Sequence, residues 1–372
     1  MASSSDTKTC IIIGGGLGGL TAAAGLRKVN SAVRIVLVEP KDYCEVFWAT
    51  YRSPFDSVVA EKSLKPLAEF CAKHAVEHVA TTVEQLTTQQ QEAVLGNGTT
   101  IAFDVCVVAV GAGCKWEACG RGLVQTTTRA DRLQALQAEG EALVHTATSV
   151  VIVGGGLIGS ELAGDVAFYK QQNKLPVNVT LIQSGPQLCQ EMSAKSAALV
   201  QKKLEQLGVR VILNERANVD GSNVKLGSSG ETIAADRVVM TVGNVPVTGF
   251  MDPSVLDETG LIQVEKTFAV KNTDNKIFSI GDCCDLLPNQ GAQVLEQKRI
   301  IGGNLNAVLL GGDSSSLSLC KESGLDLYNC TVGPRGGVTH TSMFGTSTWP
   351  IPWLKNKTMF FFKFNSDLGF KG

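Results

Sequence analysis

CIIIGGGLGGL, residues 10–20, is a β-branched apolar run that stops abruptly in glycine and then opens into a helical pattern. Gly14, Gly16 and Gly19 fill the slots of a G-x-G-x-x-G turn, with Gly18 inside it. The first glycine permits a tight turn and the second lets the backbone approach a pyrophosphate. The third allows helix and strand to pack closely, while the unpaired N–H groups of the helix N-terminus face the anion. VVIVGGGLIGSEL, residues 150–162, repeats the pattern 140 residues later (Gly14 to Gly154), with Gly154, Gly156 and Gly159 in the same slots. A single such turn is weak evidence. Two in register imply two dinucleotides in one chain, an arrangement suited to passing electrons between them.

Working outward from the first turn, residues 10–13, 17–29 and 33–39 read as strand, helix and strand. Glu39 stands 20 residues beyond Gly19 at the end of that second strand, with Lys41 just after it. An acid there accepts hydrogen bonds from ribose hydroxyls and repels a 2′-phosphate, which suits FAD or NAD and disfavours NADP. The second unit reads as a strand from 150, a helix over 158–170 and a strand over 177–182, and that strand ends in the neutral pair Gln183-Ser184. Neither repulsion nor a clear attraction for a 2′-phosphate is built there, so NADH is expected, with NADPH also admitted. Further helices are expected near 63–74 and over 194–207, and a hairpin at Gly96-Asn97-Gly98. VAVGAG (108–113) and TVGNVP (241–246) echo each other, which places Gly111 and Gly243 at matching crossovers.

Composition narrows the field. The chain has 372 residues, 44% hydrophobic and 18% charged, enough apolar material for buried parallel sheets. A net charge of −2 offers no attraction for phosphate backbones, which argues against nucleic acid as a partner. The N-terminal MASSSDTKT carries neither an apolar core nor an Arg-rich pattern, and no run approaches the ~18 apolar residues of a membrane span. A cytoplasmic protein with reduced thiols is the expectation. Among eleven cysteines, Cys114 and Cys119 have C-x4-C spacing but follow a glycine crossover, and the adjacent Cys283 and Cys284 could form only a strained bridge. Inert thiols are the better reading. Of the four histidines, His74 and His78 are i,i+4 but lack a third ligand nearby, so no metal site is expected.

The ordered set of first glycine loop, Glu39, VAVG, second glycine loop with Glu161, TVGNVP and SIGDCC (279–284) resembles the two-dinucleotide flavoprotein (pyridine nucleotide-disulfide oxidoreductase-like) family over about residues 10–305. That family includes glutathione reductase, apoptosis-inducing factor and type II NADH dehydrogenases. EPKDYCEVFWATYR (39–52), GGVTHT (336–341) and KNKTMFFF (355–362) look most like the apoptosis-inducing-factor-like quinone reductases that include ferroptosis suppressor protein. The resemblance implies FAD in the first unit and NADH or NADPH in the second. It implies that Asp282 bonds the ribitol of FAD, and that a helix after Gly291 aims its N-terminus at the flavin. It places Glu161 where nicotinamide meets flavin and Lys355 as a functional lysine, although Glu161 also suits a helix N-terminus for electrostatic reasons alone. The lone Arg52 of the aromatic loop reads either as a phosphate or flavin contact or as an exposed residue. Gln293 and Gln297, in GAQVLEQ, are similar to a quinone-contacting motif and, on one helix, would share a face; two polar residues on a half-buried helix is the alternative.

The architecture implied is α/β: two Rossmann-like three-layer nucleotide-binding domains, the NAD(P)H domain (116–258) inserted in the FAD domain (1–115 and 259–325), plus a small C-terminal α+β segment (326–372). That segment holds eight aromatics between Phe344 and Phe370, with Lys355, Lys357 and Lys363 among them. Such a composition suits peripheral contact with a membrane surface, the alternatives being a homodimer interface or a lid over the flavin. The activity implied is NAD(P)H:quinone oxidoreduction without a redox-active disulfide. The competing readings are a reductase of a soluble acceptor such as monodehydroascorbate or an iron–sulfur protein, and an NADH-responsive binding protein.

Overall fold

The computed structural model describes residues 7–113, 126–286, 291–321 and 327–371. The chain opens with β1 (Thr9–Ile13), α1 (Leu17–Val29) and β2 (Arg34–Val38), then adds β3 (Val76–Val79) and β4 (Val105–Val108). After the second unit it returns as a strand over Ile277–Ser279 that pairs with β4, so this parallel sheet draws on both sides of the insertion. The second unit comprises β5 (Val150–Val153), α2 (Leu157–Gln172), β6 (Val179–Ile182), α3 (Ala194–Gln206), β7 (Val209–Ile212) and β8 (Arg237–Met240). It forms a four-stranded parallel sheet in the order β7-β6-β5-β8. The returning strand is β9, and the first sheet is therefore ordered β9-β4-β1-β2-β3. Every residue of β4 and β5 is buried, as their unbroken apolar runs require when helices cover both faces of a parallel sheet.

Helices α4 (Gly291–Glu296) and α5 (Lys298–Leu309) follow. α5 lies backbone to backbone on α1, because a Cβ at Gly25 would stand 2.2 Å from the Lys298 carbonyl oxygen. An antiparallel sheet of β10 (Leu327–Val332), β11 (Gly336–Thr341) and β12 (Gly345–Ser347) leads to α6 (Ile351–Thr358) and α7 (Phe361–Leu368). β10 lies against α2, where a Cβ on Gly164 would meet the Gly333 nitrogen at 2.9 Å.

Three sequence expectations are corrected. The helix expected near 63–74 starts later, at Leu67, because Leu64–Pro66 is a short strand paired with Tyr43–Glu45, and a separate helix, Ser57–Ser63, precedes it. Pro66, which has no N–H to continue a helix, sits at the break. The helix ends at His74 with Ala75 in the left-handed conformation, so His78 lies in β3 and the i,i+4 spacing of the two histidines is not a helical one. The helix carrying GAQVLEQ is in two pieces, α4 and α5, interrupted at Gln297, whose N–H bonds the Val294 carbonyl in a tighter turn. Cys114, Cys119 and the boundaries placed at 115/116 and 325/326 lie outside the described residues.

Candidate active site: two glycine turns and a buried charge cluster

The first turn is built as its glycines demand. Gly14 has φ +106°, and a Cβ on Gly19 would fall 1.9 Å from the Gly14 carbonyl oxygen. Nothing lies within 4 Å of a Cβ placed on Gly16, which leaves the backbone open toward a cleft. Glu39 ends the strand beside it. Its Oε2 accepts the Gly15 N–H at 2.7 Å and its Oε1 accepts the Lys41 N–H at 3.1 Å, so the carboxylate is locked at the cleft wall. That cleft is lined also by Gly14, Gly16, Gly18, Lys41, Gly111 and Asp282. An open approach to a glycine backbone, a helix N-terminus and a fixed acid are what the pyrophosphate and ribose of FAD need, and the site fits that group.

The second turn repeats this. Gly154 has φ +114°, a Cβ on Gly159 would lie 1.9 Å from the Gly154 carbonyl oxygen, and nothing stands within 4 Å of one on Gly156. Gln183 Oε1 accepts the Gly155 N–H at 3.0 Å, as Glu39 does at Gly15, but without the charge. Gly243, with φ +81°, follows β8.

Between these turns and the C-terminal segment lies a cluster of buried charges. Glu161, in the second turn of α2, accepts a hydrogen bond from Lys355 Nζ at 2.6 Å and from the Thr331 N–H at 2.9 Å, both at Oε1. The Thr331 hydroxyl stands 3.0 Å from the same oxygen and 2.8 Å from the Tyr51 hydroxyl. Lys355 Nζ also donates to the Asn329 carbonyl at 3.2 Å. One helical turn beyond Glu161, Asp165 is wholly buried and accepts from Arg52 Nε. Burial raises the Asp165 carboxyl to about 6, against the opposing pull of Arg52. Tyr51 is raised well above its usual value, chiefly by burial.

The structure thus brings Glu161 and Lys355 into direct contact across 194 residues of chain. It places Arg52 differently from the exposed alternative: the side chain is 2% exposed, and its guanidinium is bonded to Asp165 and Asn356. Arg52 is also absent from the lining of the first cleft. Gln297 is occupied too, since its amide donates to the Lys321 carbonyl at 2.9 Å and accepts the Lys321 N–H at 3.0 Å. Gln293 makes no such bond among the described residues and sits on α4 beside Gly291 and Val294, which line the cleft.

The aromatic tail divides. Phe361, Phe364, Leu368 and Phe370 are buried, and Trp48 Nε1 donates to the Met359 carbonyl at 2.6 Å, so one face packs on the first unit. Trp349, Trp353 and Phe362 remain exposed. Sequence reading missed Tyr51, Asp165, Asn329 and Thr331. A lone Asp in the apolar helix stretch LAGDVA was the one available signal.

None of the described cysteines is in a disulfide. Cys44 at the cleft is pushed up to about 12 by burial, with Glu39 adding to the shift, which makes it a poor nucleophile.

Two parallel-sheet units, each with a glycine turn after its first strand and joined by the buried Arg52–Asp165 pair, have the architecture of a protein that holds two dinucleotides. The chain belongs to the pyridine nucleotide-disulphide oxidoreductase family, whose profile matches residues 8–301. It is an NAD(P)H-dependent flavoprotein oxidoreductase, and the family implies FAD and NAD(P)H as its cofactors. Apoptosis-inducing factor homolog B of Dictyostelium discoideum is 25% identical over 98% of this chain and 97% of its own. Apoptosis-inducing factor 1 of Saccharomyces cerevisiae is 27% identical over 94% of this chain and 92% of its own. The sulfide:quinone oxidoreductase of Aquifex aeolicus has the same fold, with a TM-score of 0.76 at 17% identity over 97% of this chain and 91% of that one.

Proposed function

We propose that the chain is an FAD-dependent NAD(P)H:quinone oxidoreductase. The observation carrying this reading is the buried Lys355–Glu161 pair, 2.6 Å apart, set where the second nucleotide unit meets the C-terminal segment. When bound, FAD supplies the hydride acceptor and hands two electrons onward. The overall balance is NAD(P)H + H⁺ + quinone → NAD(P)⁺ + hydroquinone, so beyond the hydride the site must deliver one more proton. In this reading Lys355, whose Nζ donates to Glu161 Oε1, gives one to the acceptor oxygen as it gains negative charge. Glu161 fixes the ammonium, and Thr331 fixes Glu161. Gln293 is the amide available to a quinone carbonyl. Cys44 is the one cysteine among the described residues that line the cleft, and burial pushes its thiol up; in the proposed reaction the acceptor meets the flavin directly.

Neutral Gln183 leads to the expectation that NADH is preferred and NADPH accepted. Anaerobic titration of the yellow protein with each nucleotide, followed by menadione, tests the proposal. Both should bleach the flavin and menadione should restore its colour rapidly; colour that persists reduced in the presence of menadione would rule out a quinone acceptor.

The exposed Trp349, Trp353 and Phe362, with Lys357 Nζ 4.6 Å from the Trp353 ring centre, form an amphipathic strip suited to lipid headgroups. No helix among the described residues is long and apolar enough to cross a membrane, so the attachment proposed is peripheral. Co-sedimentation with anionic vesicles should fall severalfold when all three aromatics become alanine. Undiminished sedimentation would assign the strip another role.

A further inference from the structure

We propose that Arg52 is a positioning residue that fixes the Glu161–Lys355 pair by holding, with one guanidinium, the helix that carries each partner. The proposal rests on that pair being the reacting end of the site. Arg52 Nε donates to Asp165 Oδ2, and Asp165 lies four residues after Glu161 on α2, hence on the same helical face. Arg52 Nη2 donates to Asn356 Oδ1 at 3.1 Å, and Asn356 adjoins Lys355 on α6. Asn356 Nδ2 in turn donates to the Gly336 carbonyl at 2.8 Å, which ties α6 to β11. Guanidinium N–H groups leave one rigid plane in fixed directions, so bonding both residues fixes their separation and with it the approach of Lys355 to Glu161.

Two further observations point to position rather than bulk stability. Asp165 Oδ1 is buried and makes no hydrogen bond among the described residues, so its bond to Arg52 is its side chain's sole hydrogen-bond tether there. A buried ion pair left half satisfied is poor value as a stabiliser compared with apolar packing. The Tyr51 ring is also flanked by both cations, with Arg52 Cζ 5.6 Å and Lys355 Nζ 5.3 Å from its centre, so the two groups share one wall.

The test uses the flavin-loaded full chain. Asn356→Ala cuts the α6 arm without stranding a buried charge, and Arg52→Lys keeps a cation for Asp165 but loses the fork. Both should retain flavin and melt within a few degrees of the parent. kcat for menadione reduction should fall about tenfold to a hundredfold, the range expected for a small misplacement of a reacting group, while KM for NADH stays within about twofold. Hydrogen–deuterium exchange over residues 351–358 should rise severalfold. The proposal is overturned if kcat or the exchange of that segment is unchanged, or if kcat falls only in step with lost flavin. Glu161→Ala run alongside separates the two claims. If it leaves turnover intact, the pair is not the reacting end, and the exchange data alone then judge the clasp.

Discussion

Glu39→Ala should yield a folded chain that purifies nearly colourless. The carboxylate is held by the Gly15 N–H at 2.7 Å and the Lys41 N–H at 3.1 Å, and its remaining lone pairs face the cleft. Two ribose hydroxyls bonded to a charged acceptor contribute about 1.5–3 kcal/mol each, so their loss costs on the order of 10²–10⁴ in affinity for FAD. Folding should survive, because β1 and β2 are held by five paired residues upstream of Glu39 and by buried apolar side chains. Visible flavin absorbance per chain, then titration of FAD into the stripped protein, gives the measurement. Glu39→Gln should fall between the two, since it keeps an acceptor oxygen and loses the charge. Parental flavin occupancy in the alanine variant would remove Glu39 from the site and with it the assignment of the first turn.

That prediction depends on residues whose meaning was legible without a structure, and the reason is locality. Each glycine turn acts with its own partner, Glu39 or Gln183, inside its own βαβ unit, and the spacing along the chain is itself the geometry. The α/β class followed from the same runs, because a strand buried on both faces must be apolar throughout. The charge cluster was not legible in this way. Arg52 meets Asp165 across 113 residues and Asn356 across 304, and nothing in KDYCEVFWATYR says which acid it will find. Gln297 was legible only as a spacing from Gln293; that its amide bonds the backbone of Lys321, 24 residues on, was not. The tail was legible as amphipathic. Which aromatics face the first unit and which face outward was decided only by the docking of Trp48 on Met359 and of α7 beside it.

Lys355→Met should cut turnover by about 10²–10⁴ and test what the ion pair is for. Removing the ammonium leaves the Glu161 carboxylate buried with, among the described residues, the Thr331 N–H and hydroxyl as its donors, and an uncompensated buried charge of this kind costs about 3–5 kcal/mol of stability. The proton at Nζ is lost as well, and a positioned acid contributes about 10²–10⁴ in rate, so kcat for menadione should fall by that much even where the protein stays folded. The double variant Glu161→Gln with Lys355→Met separates these effects. With both charges gone, most of the lost stability should return, because an amide can still accept from Thr331 and Met fills the space of the lysine stem. Activity should not return, because no chemistry is restored. Thermal melting and steady-state turnover on the two single variants and the double decide the matter. If the double variant regained turnover along with its stability, the pair would be a structural bridge, and the proton delivered to the acceptor would have to come from elsewhere in the site.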